Sequence, residues 1–208
     1  VPTVLVDRIP PWAPDDRFDA IGVENVQPMI DVVGHLTELG HRRIAHVTSQ
    51  RGLYTTEERV AGYLRGMRTD PGAPDDLVVA GLLQEGTNEH AVEELLATDD
   101  PPTAIVTGNN QVTIEILRQL GDRGLTVPDD ISLVAFDDFD WTDLFHPRLT
   151  AVRQPIDELA RGAVDLLRRR MENPDVTGRV ERVAPLFIIR DSARAVREHT
   201  GEIRPPDR

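Results

Sequence analysis

No cysteine occurs in the 208 residues, which excludes disulfides, thiolate nucleophiles and the Cys-based zinc modules and fits a reducing compartment. Lysine is absent as well. With all 23 Lys/Arg positions filled by arginine, the chain cannot form a Schiff base with a cofactor aldehyde or complete a Walker phosphate loop. Long apolar runs are missing, so no transmembrane span is expected. Pro2, Asp7 and Arg8 stand where a signal peptide needs a basic start and an apolar stretch, and the chain reads as cytoplasmic. Positive charge is also lacking: a formal charge of −13 opposes binding to a polyphosphate, and this chain should not hold DNA alone.

What is present is an alternation of short β-branched runs with helical patterns, the form of βαβ units feeding a mostly parallel sheet. The length suits one large α/β unit or two small lobes. Strands are expected at Thr3 to Asp7, Asp19 to Val23, Arg43 to Thr48, Leu77 to Ala80, Thr103 to Thr107, Ile131 to Phe136, Leu149 to Val152 and Val183 to Ile189. Helices are expected from Pro28 to Leu39, from Thr55 with Glu58 at capping-box spacing, from Thr87 to Ala97, from Asn109 or Asn110 as cap, and after Pro155. The last carries Ile156, Leu159, Ala163, Leu167 and Met171 as its apolar face. It ends in Arg168 to Arg170, basic charge where the helix dipole favours it. From Ala193 onward there is no apolar period, and a frayed tail (193–208) is expected.

Seven segments stand in an order that resembles the LacI family of repressors: Val1–Arg8 (VPTVLVDR), Leu39–Ile44 (LGHRRI), Glu58–Tyr63 (ERVAGY), Pro102–Asn110 (PTAIVTGNN), Gly124–Asp138 (GLTVPDDISLVAFDD), Pro147–Pro155 (PRLTAVRQP) and Leu186–Ser192 (LFIIRDS). The resemblance implies an α/β, two-lobed, periplasmic-binding-protein-like fold with parallel sheets flanked by helices. It places 1–39 and 154–176 in an incomplete first lobe, and 40–153 and 177–192 in a second. Family members begin with a helix-turn-helix head and further βα elements, so the edge of the first-lobe sheet is expected to be exposed. A small effector, a sugar or a purine, is implied between the lobes, with a homodimer, operator DNA reached only through such a head, and no cofactor, metal or membrane.

By the same resemblance Arg59, Asn109 and Asp137 match ligand-contacting positions. A guanidinium in the first turn of a helix can donate paired hydrogen bonds to vicinal hydroxyls, a carbonyl or a carboxylate, or serve a surface ion pair. Asn109 can donate and accept, or cap its helix. Asp137 can accept from two hydroxyls, while Asp138 beside it points away as a structural cap. Asn110 departs from the aspartate usual in relatives. Thr55 and Gln154 match positions that reach the pocket in some relatives, and Glu24 a ligand or hinge position. Trp141 leads the candidates for an aromatic wall, ahead of Phe136, Phe139 and Tyr54.

Two other readings compete. Asp138, Asp140 and Thr142 fit the DxDxT pattern of haloacid-dehalogenase-type phosphatases, yet stand late in the chain, and the lysine that usually steadies that nucleophile is missing. No serine lies in a Gly-x-Ser-x-Gly elbow, and the histidines show no metal-ligand spacing; no catalytic residue is assigned. The solute-binding component of a sugar transporter shares the fold, but the segments around Pro128 and Thr150 resemble the regulators more closely.

Overall fold

The computed structural model describes residues 1–9, 18–69, 78–80, 90–173 and 175–196. Its elements run β1 (Val4–Val6), β2 (Asp19–Val23), α1 (Val26–Glu38), β3 (Ile44–Thr48), α2 (Tyr54–Met67), β4 (Val78–Ala80), α3 (Ala91–Leu96), β5 (Ala104–Thr107), α4 (Asn110–Asp122), β6 (Ser132–Phe136), α5 (Asp140–Leu144), β7 (Thr150–Arg153), α6 (Ile156–Glu172), β8 (Val180–Val183) and β9 (Leu186–Ile188). They form a three-stranded sheet ordered β1-β2-β8 and a six-stranded sheet ordered β4-β3-β5-β6-β7-β9. All pairings are parallel except β7 with β9. Every residue of β2, β3, β5 and β6 is buried, as parallel strands covered on both faces require.

One face of the large sheet packs under α1 and α2 through Met29, Val32, Val33, Leu36, Tyr63 and Met67. The other packs under α3 and α4 through Val92, Leu95, Ile116 and Leu120. The α1 and α2 axes approach closely because Gly62 and Gly66 face α1. A Cβ at Gly62 would stand 2.4 Å from the Val26 carbonyl oxygen, and one at Gly66 2.7 Å from the Val33 Cβ.

The sheets do not divide the chain at residues 39 and 176. α1 belongs to the core of the large sheet, and β8 pairs with β2 in the small one. The chain crosses between sheets at Glu24–Asn25, at Gln154–Pro155 and at Ala184–Pro185. The single strand expected over Val183 to Ile189 is therefore two strands in different sheets, parted where Pro185 has no N–H to offer a ladder. The expected tail is anchored over 193–196: the Arg194 N–H donates to Ser132 Oγ, its carbonyl meets His41 Nε2, and the Val196 N–H donates to the Leu39 carbonyl. Leu77, the start of the third helix before His90, and residues from 197 lie outside the described residues.

The apolar face of α6 also differs. Leu159 and Leu166 are buried and Ala163 packs beside them against Ile21 and Val23, while Ile156 and Met171 are each 63% exposed. Gly162 also faces the strand, where a Cβ would lie 2.3 Å from Ile21 Cδ1 at the far end of that side chain. Arg169 and Arg170 then close on Asp19, 3.1 and 3.2 Å away, with the Arg179 N–H donating at 2.7 Å. The arginine run thus binds the helix end to the start of β2.

Asp138 plays the corresponding part in the large sheet. It accepts from Arg190 of the segment after β9 at 2.8 and 3.0 Å, from Arg153 of β7 and from Thr142 of α5. Burial pushes its carboxyl up, but these donors dominate and hold it down to about 2. Asp138→Ala leaves Arg190 buried without its main partner and should cost about 3 kcal/mol in urea unfolding, whereas Arg153→Ala, half exposed, should cost under about 1 kcal/mol.

The core also holds His46, fully buried, with Nδ1 donating to the Val106 carbonyl at 3.0 Å, its ring 5.4 Å from Tyr63 and Nε2 unpartnered. Burial lowers its pKa to about 4, against the hydrogen bond to Val106. The folded state therefore binds fewer protons than the unfolded state between about pH 4 and 6.5, so stability rises with pH across that window. About 3 kcal/mol should be lost on acidification from pH 6.5 to 4, and thermal melts of His46→Leu should show a flatter profile there.

Candidate functional site

The C-terminal ends of β3, β5, β6 and β7 come together on the side facing the small sheet, where an open α/β sheet offers a ligand crevice. Arg59 lies in the second turn of α2 rather than the first, because the helix already begins at Tyr54, and is 7% exposed. Its guanidinium stacks 3.6 Å over the Phe136 ring, Nη1 donates to the Gly108 carbonyl at 2.6 Å and Nε to Asn25 Oδ1 at 2.9 Å. Nη2 has no protein acceptor, and no carboxylate stands within ion-pair distance of Arg59 among the described residues. Burial depresses its pKa, opposed by the nearby charges of Asp137, Asp7 and Glu58.

Asp137 follows β6 with φ +82°, a left-handed conformation that Asp tolerates better than most residues. The turn brings its carboxylate back to the neighbouring strand ends. Oδ2 accepts from the Asn110 N–H at 3.2 Å, and Oδ1 accepts a short hydrogen bond from Gln154 Nε2. Asp7 ends β1 in the same conformation, with φ +70°, so each sheet delivers one carboxylate on a left-handed strand end. Such residues gather at functional sites because the surrounding fold must sustain their backbone.

Asn109 is the cap of α4, its Oδ1 accepting from the Val112 N–H at 2.9 Å, and among the described residues its amide NH2 is unspent. Trp141 donates from Nε1 to Asn110 Oδ1 at 3.0 Å, while its ring packs against the core beneath α3 and α4. Phe136 is a fully buried floor for Arg59, Phe139 is half exposed, and the Arg182 guanidinium stands 5.7 Å over Tyr54. The structure therefore joins Asp137, Gln154, Asn110 and Trp141 in one chain of hydrogen bonds, and sets Arg59 beside it through Gly108. Thr55 sits in the first turn of α2, half buried and outside that chain.

Two expectations for this region change. Thr55 and Glu58 form no capping box: Glu57 accepts from the Gly52 N–H and from Arg51, while Glu58 turns to Asn25 and to Arg182 at 3.0 Å. Glu24 takes the capping task at α1, accepting from the Val26 and Gln27 N–H groups at 2.8 and 3.3 Å. Asn25, Glu58 and Arg182 escape sequence reasoning; no short-range pattern links them, and Asn25 and Glu58 meet across 33 residues.

The DxDxT reading does not survive this geometry. The Asp138 side chain is 1% exposed and its two oxygens are occupied by Arg190, Arg153 and Thr142, so it offers no free lone pair to attack phosphorus. Among the described residues, no helix is long and apolar enough to cross a membrane.

Comparison with known proteins agrees with the fold. The family model of the periplasmic binding protein-like domain matches residues 33–193. The chain is 31% identical over 195 residues to the ribose operon repressor of Escherichia coli (strain K12), covering 93% of this chain and 58% of that protein. A LacI transcriptional regulator from a Rhodococcus species, solved by crystallography, is 30% identical, with a TM-score of 0.83 over 94% of this chain and 71% of the solved one. The transcriptional regulator CelR, solved as a complex with cellobiose, is 26% identical, with a TM-score of 0.81 over 93% of this chain and 59% of that one. The chain thus spans little more than half of the curated relatives it matches. With the six-stranded sheet inside the matched range, the chain belongs to the periplasmic binding protein-like domain family and, within it, to the LacI-type regulators.

Proposed function

We propose that this chain is the effector-sensing part of a LacI-type repressor, taking a small neutral hydroxyl-bearing ligand of the sugar class between its two sheets. The observation that carries this reading is Arg59, a buried guanidinium that, among the described residues, has no carboxylate paired to it and Nη2 unspent, beside the carboxylate of Asp137. A guanidinium donates to sugar oxygens, a carboxylate accepts from hydroxyls, and the amide of Asn109 can do both. The charges of Asp137, Asp7 and Glu58 around Arg59 disfavour an anionic ligand such as a sugar phosphate. Gln154 holds Asp137 in place, and Thr55 and Trp141 flank the crevice.

No bond is made or broken. Ligand contacting both sheets favours the arrangement that brings them together, by its differential affinity for it. In a longer protein with a DNA-binding head, a homodimer would convey that shift to a two-fold operator in the cytoplasm; the −13 charge of this part leaves phosphate contact to such a head. A transporter component shares the fold, but the regulators share the segments around the crevice.

A thermal-shift panel of D-ribose, cellobiose, other simple sugars, sugar phosphates, nucleosides and purines tests this. A neutral sugar at a hundred times its Kd should stabilise the chain by about 2.7 kcal/mol, seen as a rise in Tm of several degrees. In Asp137→Ala and Arg59→Ala that rise should vanish while cooperative melting of the large sheet persists. A panel in which only phosphorylated sugars respond, or none does, overturns the reading.

A further inference from the structure

Asn25, at the crossing between β2 and α1, is 1% exposed and uses its whole amide. Nδ2 donates to the Val23 carbonyl at 3.0 Å and to Glu58 Oε2 at 2.8 Å, and Oδ1 accepts from Arg59 Nε at 2.9 Å. Glu58 in turn pairs with Arg182 of β8 at 3.0 Å, and Arg182 Nη1 donates to the Val23 carbonyl at 3.1 Å. Two adjacent residues in the second turn of α2 are thus bonded to the end of the small sheet, one through a charge pair and one through an amide.

The amide matters for Arg59 in particular. Phe136 fixes the plane of the guanidinium, Gly108 takes one donor on Nη1, and Asn25 takes Nε. Two acceptors at different nitrogens and one stacked face leave a single orientation, with Nη2 the nitrogen left for another acceptor. Without Asn25 Oδ1, one hydrogen bond and a face contact remain, and the plane can turn about the bond to Gly108.

We propose that Asn25 is a positioning residue for Arg59, presenting its Nη2 to the crevice and, through Glu58 and Arg182, making that presentation depend on where the small sheet stands. The inference rests on the effector site proposed above. It goes further in naming the atom through which the placing of one sheet reaches the ligand group of the other. A ligand that moves the small sheet moves Val23 and Arg182, and with them the acceptor of Arg59 Nε.

The test uses the 208-residue chain, isotope-labelled for NMR, and reads hydrogen exchange at the Arg59 Nε–H, identified by its loss in Arg59→Gln. Asn25→Ala should speed that exchange at least about tenfold, the scale set by losing one buried hydrogen bond. Asn25→Asp combined with Glu58→Gln keeps an acceptor for Arg59 and reverses the polarity of the neighbouring bond, and should return the exchange to near the parent rate. Backbone amide exchange in β5 and β6 should match the parent throughout, separating reorientation from unfolding. In a second arm D-ribose and cellobiose are titrated, and whichever binds the parent should bind Asn25→Ala about tenfold more weakly and the double variant within about threefold. Unchanged Arg59 exchange in Asn25→Ala, or unchanged affinity for a sugar that binds the parent, overturns the proposal. If neither sugar binds the parent, the sugar reading fails, and the exchange result alone decides the role of Asn25.

Discussion

Arginines closing on two buried aspartates hold both sheets together. Asp19 gathers Arg169 and Arg170 from the end of α6 at the start of the small sheet, and Asp138 gathers Arg153 and Arg190 at the far end of the large one. In a chain without lysine, each such site receives a planar cation with several donors, so one carboxylate can bind three segments at once. An ammonium at Arg190 could not reach both Asp138 and the Leu149 carbonyl, 2.6 Å from Nη1, with the same fixed geometry. These clusters stabilise less through net charge attraction than through what their loss would leave buried.

Arg59 is the exception that gives the crevice its character. It is more deeply buried than Arg190, yet its protein partners are a carbonyl and an amide, both neutral. Its charge is left to the surroundings, and Asp137, drawn back by its left-handed backbone toward Asn110 and Gln154, supplies part of the response. The same fold thus uses arginine in two ways: neutralised where it fastens segments, and left unpaired where it faces the crevice. That contrast in partners, more than burial or backbone conformation, sets Arg59 apart from the fastening arginines.

Much of this was legible wherever cause and effect lie close in sequence. The β-branched runs became strands, Asn109 caps α4 because its acceptor and the Val112 N–H are three residues apart, and Asp137 and Asp138 turn to different partners. Reading failed where the decisive partner was remote. Nothing beside Leu166 says that Ile21 and Val23 lie under it, so the buried row of α6 runs Leu159, Ala163 and Leu166 where local spacing suggests Leu167 and Met171. Glu58 fits a capping box until Arg182, 124 residues later, takes it away. The break between β8 and β9 was hidden because apolar residues on both sides of Ala184 and Pro185 suit either sheet equally well.

The crossings between the sheets lie side by side. β2 and β8 are paired neighbours in one sheet, and β7 and β9 in the other, so Glu24–Asn25, Gln154–Pro155 and Ala184–Pro185 form a strip rather than a point. A single tether would let the halves swivel about any axis. Three abreast resist twist and sideways shear, and leave bending across the strip as the one soft motion. Mechanically this is the geometry of a door on a long hinge, with Asn25 on the hinge line itself.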